Sequence, residues 1–167
     1  MVKHRRLVRP AAPKPGEGKR GTSGYFAYLL RQASATLRTT LDRALADLDI
    51  TTPQFSALLM LGSYPDLSSA ELARVSLLTP QTVNLIVRNL EVRGALTRHP
   101  HPIHGRILVL QITPEGKRLL AECRKRADAI EARLSAGLMN EAEKEVVRRW
   151  LVFVATQLHA PSNDDQV

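Results

Sequence analysis

At 167 residues, 44% of them apolar, the chain is long enough to bury a core and suits one globular domain rather than a disordered or fibrous polymer. A single cysteine excludes an intrachain disulfide and fits a reducing compartment. No apolar run could cross a bilayer, and the basic start lacks a signal peptide's apolar stretch, so the expected location is the cytoplasm, away from membranes. The net charge of +8 is unevenly placed: Lys3, Arg5, Arg6, Arg9, Lys14, Lys19 and Arg20 against Glu17 put +6 in residues 1–23 and leave +2 for the rest.

Residues 1–23 mix those cations with prolines and glycines and hold too little apolar surface to offset the cost of ordering them. They read as a basic flexible arm, either a solubilising tail or a source of phosphate and minor-groove contacts. From Tyr25 to Leu48, apolar residues step by threes and fours (Phe26, Leu29, Leu30, Ala33, Leu37, Leu41, Ala44, Leu45, Leu48), which predicts a long amphipathic helix. A second helix follows Thr51-Thr52-Pro53, with Phe55, Leu58, Leu59 and Leu61 facing inward and Gly62 near its end. The Thr-Pro start recurs at Thr52-Pro53, Thr79-Pro80 and Thr113-Pro114, each time before an apolar periodic run.

The centre of the chain predicts a short helix over Ser69–Ser76, a tight turn, and a second helix capped by Thr79 that stops at Gly94. Val83, Ile86, Val87 and Leu90 share one face of that second helix and point to a core. Gln81, Leu85 and Arg88 lie opposite, with Thr82, Asn84 and Asn89 on the flanks. Amide, hydroxyl and guanidinium groups pair with base edges in the major groove, and a leucine can touch a thymine methyl. Two β-prone runs, Ala95–Arg98 and Arg106–Ile112, then flank a loop over His99–Gly105. Helix, turn, helix and hairpin describe a winged DNA reader.

Beyond the hairpin, Pro114 to about Ala136 predicts another long helix with the stripe Leu119, Leu120, Cys123, Ala127, Ile130 and Leu134. Leu138 and Met139 lead to Asn140-Glu141-Ala142-Glu143, where Asn140 and Glu143 suit a reciprocal cap. The last helix carries Val146, Val147, Trp150, Leu151, Phe153, Val154 and Leu158, more apolar surface than one narrow stripe. A partner subunit is the economical cover for it.

Glu71-Leu72-Ala73, Thr82-Val83, Leu90-Glu91 and the wing His104-Gly105-Arg106 running into Ile112-Thr113-Pro114-Glu115-Gly116 together resemble the MarR family of transcriptional regulators, from about Tyr25 to Leu158. The resemblance implies a mainly α fold: a winged helix-turn-helix with a small β-hairpin wing (63–113) on a helical dimerisation base (24–62 and 114–160). It implies a homodimer whose first and last helices interlock, binding double-stranded DNA as a repressor at a pseudo-palindromic operator. A wing arginine entering the minor groove would be Arg106. The family's wing aspartate is replaced by His104, and Leu85 and Arg88-Asn89 stand where the family often has Arg and Asp-Arg. The expected DNA contacts are Thr79, Gln81, Thr82, Asn84, Leu85, Arg88, Asn89, Arg98, His104 and Arg106.

Family members also release DNA when a small lipophilic or phenolic acid enters the crevice between base and head, for which Tyr25, Tyr28, Arg31 and Phe55 are the candidate lining. His99, His101 and His104 lie within six positions and raise a metal-responsive alternative. Flanking prolines and the lack of a neighbouring acid or thiol favour a polar, phosphate-facing wing, so no metal ligand and no cofactor is expected. Cys123 falls inside an apolar stripe and reads as a small hydrophobe rather than a redox sensor. No Gly-rich phosphate loop, carboxylate pair or activated nucleophile marks an enzyme. The alternative from another class is a winged-helix protein-interaction module.

Overall fold

The computed structural model describes residues 12–137 and 140–157. Among them six α-helices and one hairpin follow in the order α1 (Phe26–Leu45), α2 (Thr52–Ser63), α3 (Ser69–Ser76), α4 (Pro80–Val92), β1 (Leu96–Pro100), β2 (Leu108–Ile112), α5 (Pro114–Ala136) and α6 (Glu141–Gln157). Among the described residues no helix is long and apolar enough to cross a membrane.

Local chemistry sets the helix starts. Thr79 Oγ1 accepts the Thr82 N–H at 3.2 Å, and Thr113 Oγ1 accepts the Gly116 N–H at 3.0 Å. The start of α2 is shifted by one residue from the recurring Thr-Pro pattern. Thr51 is its cap, with its N–H held by Gln54 Oε1 at 2.9 Å. Thr52 instead donates both its N–H and its hydroxyl to Asp42 Oδ1, at 2.8 and 2.7 Å, which pins α2 to α1. The Asp42 carboxyl is held below its ordinary range, first by the backbone bond from Thr52 and then by its hydroxyl. Asn140 and Glu143 cap each other's backbone at 3.1 Å, as their spacing predicts.

The first long helix ends sooner than its apolar period suggests. Leu45 closes the α-helix, Ala46–Leu48 tighten into a 3-10 turn, and Asp49 adopts φ 51°. The reversal folds Ile50 into the core, and Arg93 Nη1 fastens it by donating to the Asp49 carbonyl at 2.7 Å.

Leu45, Leu58, Leu72, Val83, Val87, Leu90, Leu96, Leu110 and Cys123 are fully buried, so the core joins the carboxyl end of α1 and the first half of α5 to the helix-turn-helix and hairpin. The hairpin pairs Leu96 with Ile112 through to Pro100 with Leu108. It therefore extends past Arg98 through His99 and Pro100, and the connecting turn, residues 101–107, is displaced by two positions from the expected 99–105. Arg106 lies in that turn rather than in β2. A bridge between Ser68 and Val109, with the Leu110 N–H on the Leu67 carbonyl at 2.9 Å, adds a third edge. Gly116 is required here, because a Cβ at that position would sit 2.1 Å from the Ala95 carbonyl oxygen.

The two ends of the chain behave differently from this core. Residues 14–24 form turns fastened to α1: Arg20 donates to Gln32 Oε1 at 3.1 Å and to the Pro13 carbonyl at 2.8 Å. Half of the expected flexible arm is thus folded back, while residues 1–11 lie outside the described part, as do Leu138, Met139 and Leu158. In α6, Val146, Trp150, Leu151, Val152 and Phe153 are all exposed, and Trp150 meets Phe26 of α1 with ring centroids 6.0 Å apart.

Candidate nucleic-acid interface

The recognition surface begins with the partition of α4. Val83, Ile86, Val87 and Leu90 are buried against α2, α3 and the hairpin, which forces Gln81, Thr82, Asn84, Leu85, Arg88 and Asn89 to the outside. Leu85 is 60% exposed, an apolar spot inside an amide and guanidinium face. The Thr79 and Thr82 hydroxyls share a bond at 2.9 Å, so they shape the helix start before they meet any base. Arg88 forms no ion pair among the described residues and is free to reach outward.

The wing stands beside this face. Arg98 turns back to α4 instead of outward: its Nε and Nη2 fork onto the two carboxylate oxygens of Glu91 at 2.8 and 3.1 Å. It therefore braces wing to recognition helix, a role that needed Glu91 seven residues earlier. Both side chains project from elements whose relative placement is tertiary, so nothing in the local pattern marks the pair. Arg106 is exposed in the turn with no ion pair among the described residues.

Of the three wing histidines, His99 is engaged apart from the other two, which meet each other. His99 Nε2 and the Thr97 hydroxyl share a bond at 2.9 Å. His101 Nδ1 accepts the backbone N–H groups of Ile103 and His104, both at 3.1 Å, and the His101 and His104 rings stack with centroids 5.3 Å apart. Among the described residues no three His, Cys, Asp or Glu side chains are grouped to hold a metal. His101 also faces the start of α3, where Ser68 and Glu71 form a reciprocal cap that the pattern reading missed. The Ser68 hydroxyl, then its N–H, hold the Glu71 carboxyl below the ordinary range, and Arg74 and His101 add to this.

Residues 48–107 match the model of the MarR family. The HTH-type transcriptional repressor Rv2887 of Mycobacterium tuberculosis is 39% identical over 123 residues, covering 74% of this chain and 88% of the relative. The chain belongs to the MarR family. It is a DNA-binding transcriptional regulator of the winged helix-turn-helix type. The crystal structure of Rv2887 in complex with DNA is 34% identical and covers 78% of this chain and 98% of that one, with TM-score 0.63. Rv2887 in complex with salicylic acid is 36% identical over 79% and 98%, also with TM-score 0.63. The S. aureus MepR–DNA complex is 25% identical over 81% and 97%, with TM-score 0.74.

In this MarR-family chain the four residues considered as an effector lining sit in different surroundings. Tyr25 caps α1 with its ring under the Lys19 ammonium at 5.5 Å, Tyr28 lies under the Arg31 guanidinium at 5.4 Å, and Phe55 is buried in the core. A cleft of about 370 Å³ opens instead where α1 and α2 meet the end of α3, lined by Leu37, Arg38, Ser56, Met60, Val75 and Ser76. Ser76 Oγ is buried beside it with no hydrogen-bond partner among the described residues, and Arg38 meets Asp42 at 3.8 Å. The slot is mostly apolar, with one loosely held guanidinium. Cys123 is fully buried, and burial pushes its thiol up, away from the thiolate that redox sensing needs.

Proposed function

We propose that this MarR-family chain works in the cytoplasm as a homodimeric repressor of a pseudo-palindromic operator, and that a small aromatic carboxylic acid releases it. The observation that carries the reading is the outward face of α4, Gln81 to Asn89, set beside the unpaired Arg106 of the wing. The long axis of that face suits a major groove, and a hairpin alongside reaches the neighbouring minor groove. Phosphate contacts from the cations would position the head, and the amide and guanidinium groups of α4 would specify bases. The activity is binding alone, with no reaction catalysed.

The exposed apolar residues of α6 and the neighbouring Phe26 support a second copy as partner, since water contact at Trp150, Leu151, Val152 and Phe153 is unfavourable by about 25 cal/mol per Å². Two heads then meet successive major grooves roughly 34 Å apart. The α1–α2–α3 cleft lies between the base and one head, so an occupant there shifts their angle. The salicylic acid bound by the relative Rv2887 is of the class that fits: carboxylate to Arg38, ring among Leu37, Met60 and Val75. Selection from random duplex DNA tests the first part and should return an imperfect palindrome with half-site centres about 10 bp apart. A single asymmetric half-site, or no enriched sequence, overturns the paired-head reading. Salicylate should then lower affinity for that duplex in the wild type and act at higher concentration on Arg38→Ala.

A further inference from the structure

At the tip of the wing, Ile103 is 80% exposed and contributes nothing to the core. Single apolar residues on a surface are commonplace, but this one stands on a rigid support. Its own N–H and that of His104 are both bonded to His101 Nδ1. The His101 N–H closes the turn on the Ile107 carbonyl at 2.8 Å, and the Ile107 N–H returns to the His104 carbonyl at 2.8 Å. The His101 and His104 rings stack across the turn with centroids 5.3 Å apart, and Pro100 and Pro102 stiffen its entry. The result is a β-branched side chain, itself poor in rotamers, held away from the body at the end of a hairpin. Three residues on lies Arg106, exposed and without an ion pair among the described residues.

We propose that Ile103 is an apolar wedge for the minor groove, pressed against a base step beside each half-site so that the protein bends its operator. The inference rests on the DNA-binding reading above and adds a second wing contact to it. Arg106 would bring charge into the groove while Ile103 displaces water from the edges of a stacked pair and loosens it. Minor-groove binders use aliphatic side chains and proline in this way, and the energetic gain comes from the extra surface a bent duplex wraps. Pyrimidine–purine steps such as TA and CA unstack most readily, so the wedge gives specificity at a position that offers no hydrogen bond. His101 acts as a positioning residue, since without its acceptor nitrogen the tip loses its support.

The test uses the full-length protein and the duplex chosen by selection, labelled at both ends so that energy transfer reports the bend. The wild type should bend the duplex and prefer a TA over an AA step at one fixed distance outside each half-site. Ile103→Ser should bind roughly 10-fold more weakly, reduce the bend and lose the step preference, with the salt dependence unchanged because no charge is altered. Ile103→Leu should restore bend and preference. Arg106→Ala should do the converse, reducing the salt slope while keeping the TA preference. Circular dichroism and unfolding of Ile103→Ser should match the wild type, since the residue is solvent-exposed. An Ile103→Ser protein with the wild-type affinity, bend and step preference overturns the wedge while leaving the DNA reading standing. A wild type that enriches no sequence overturns both.

Discussion

Replacing Glu91 with Gln removes the charge that holds Arg98 to the recognition helix and so tests whether Arg98 is a brace or a DNA contact. The pair is bidentate, at 2.8 and 3.1 Å, and its side chains are only 33% and 29% exposed. An exposed ion pair contributes about 0–1 kcal/mol, and a forked, half-buried one belongs at the upper end. A coupling of about 1 kcal/mol is therefore expected from a double-mutant cycle of Glu91→Gln and Arg98→Gln, followed by urea unfolding. The same four proteins are then titrated with operator DNA at several salt concentrations. As a brace, Arg98 has its charge matched by Glu91. Each single variant should weaken binding by loosening the wing, the double variant should be no worse than either, and the salt slope should stay constant. As a phosphate contact, Arg98 would leave Glu91 on binding. Arg98→Gln would then cut the slope by about 0.9 per subunit, and Glu91→Gln would tighten binding by freeing the cation. Additive stabilities together with that slope change would refute the brace.

Gln81→Ala and Arg88→Ala should each relax preference at particular base pairs by about 1–3 kcal/mol in a selection assay, whereas Arg106→Ala should weaken all sequences more evenly. Leu77, 63% exposed, ends α3 at φ 53°, a conformation that costs a side chain with a Cβ. Leu77→Gly should raise unfolding stability by about 1 kcal/mol in a urea titration. Asp42 and Glu71 have carboxyls lowered in the folded state, so the hydrogen bonds they accept contribute fully above the ordinary carboxylate range and are lost as pH falls through the lowered values. Asp42→Ala should cost about 1 kcal/mol at pH 7, and the difference from wild type should shrink toward pH 3.

The helix starts, the helix-turn-helix and the division of α4 into inner and outer faces were legible in the sequence because each depends on residues within one or two turns of each other. Thr79 caps its own helix, and the period of Val83, Ile86, Val87 and Leu90 orients Gln81 and Arg88 without outside help. The turn of the wing was only partly legible. Proline at 100 suggested a loop, yet it sits at the end of β1 opposite Leu108, because an edge position asks no N–H of it. What depended on distant partners could not be read at all. The fork of Arg98 onto Glu91 and the burial of Phe55 in the core both depend on residues that no local pattern brings together. Arg38 and Ser76, 38 positions apart in number, meet at one cleft only because α1 and α3 are brought together by the packing of α2. Short-range hydrogen bonding and periodicity are properties of a segment, and the sequence by itself determined those. Which side chain a cation faces, and where a cavity is left, depend on how segments pack, and only the tertiary structure decided them.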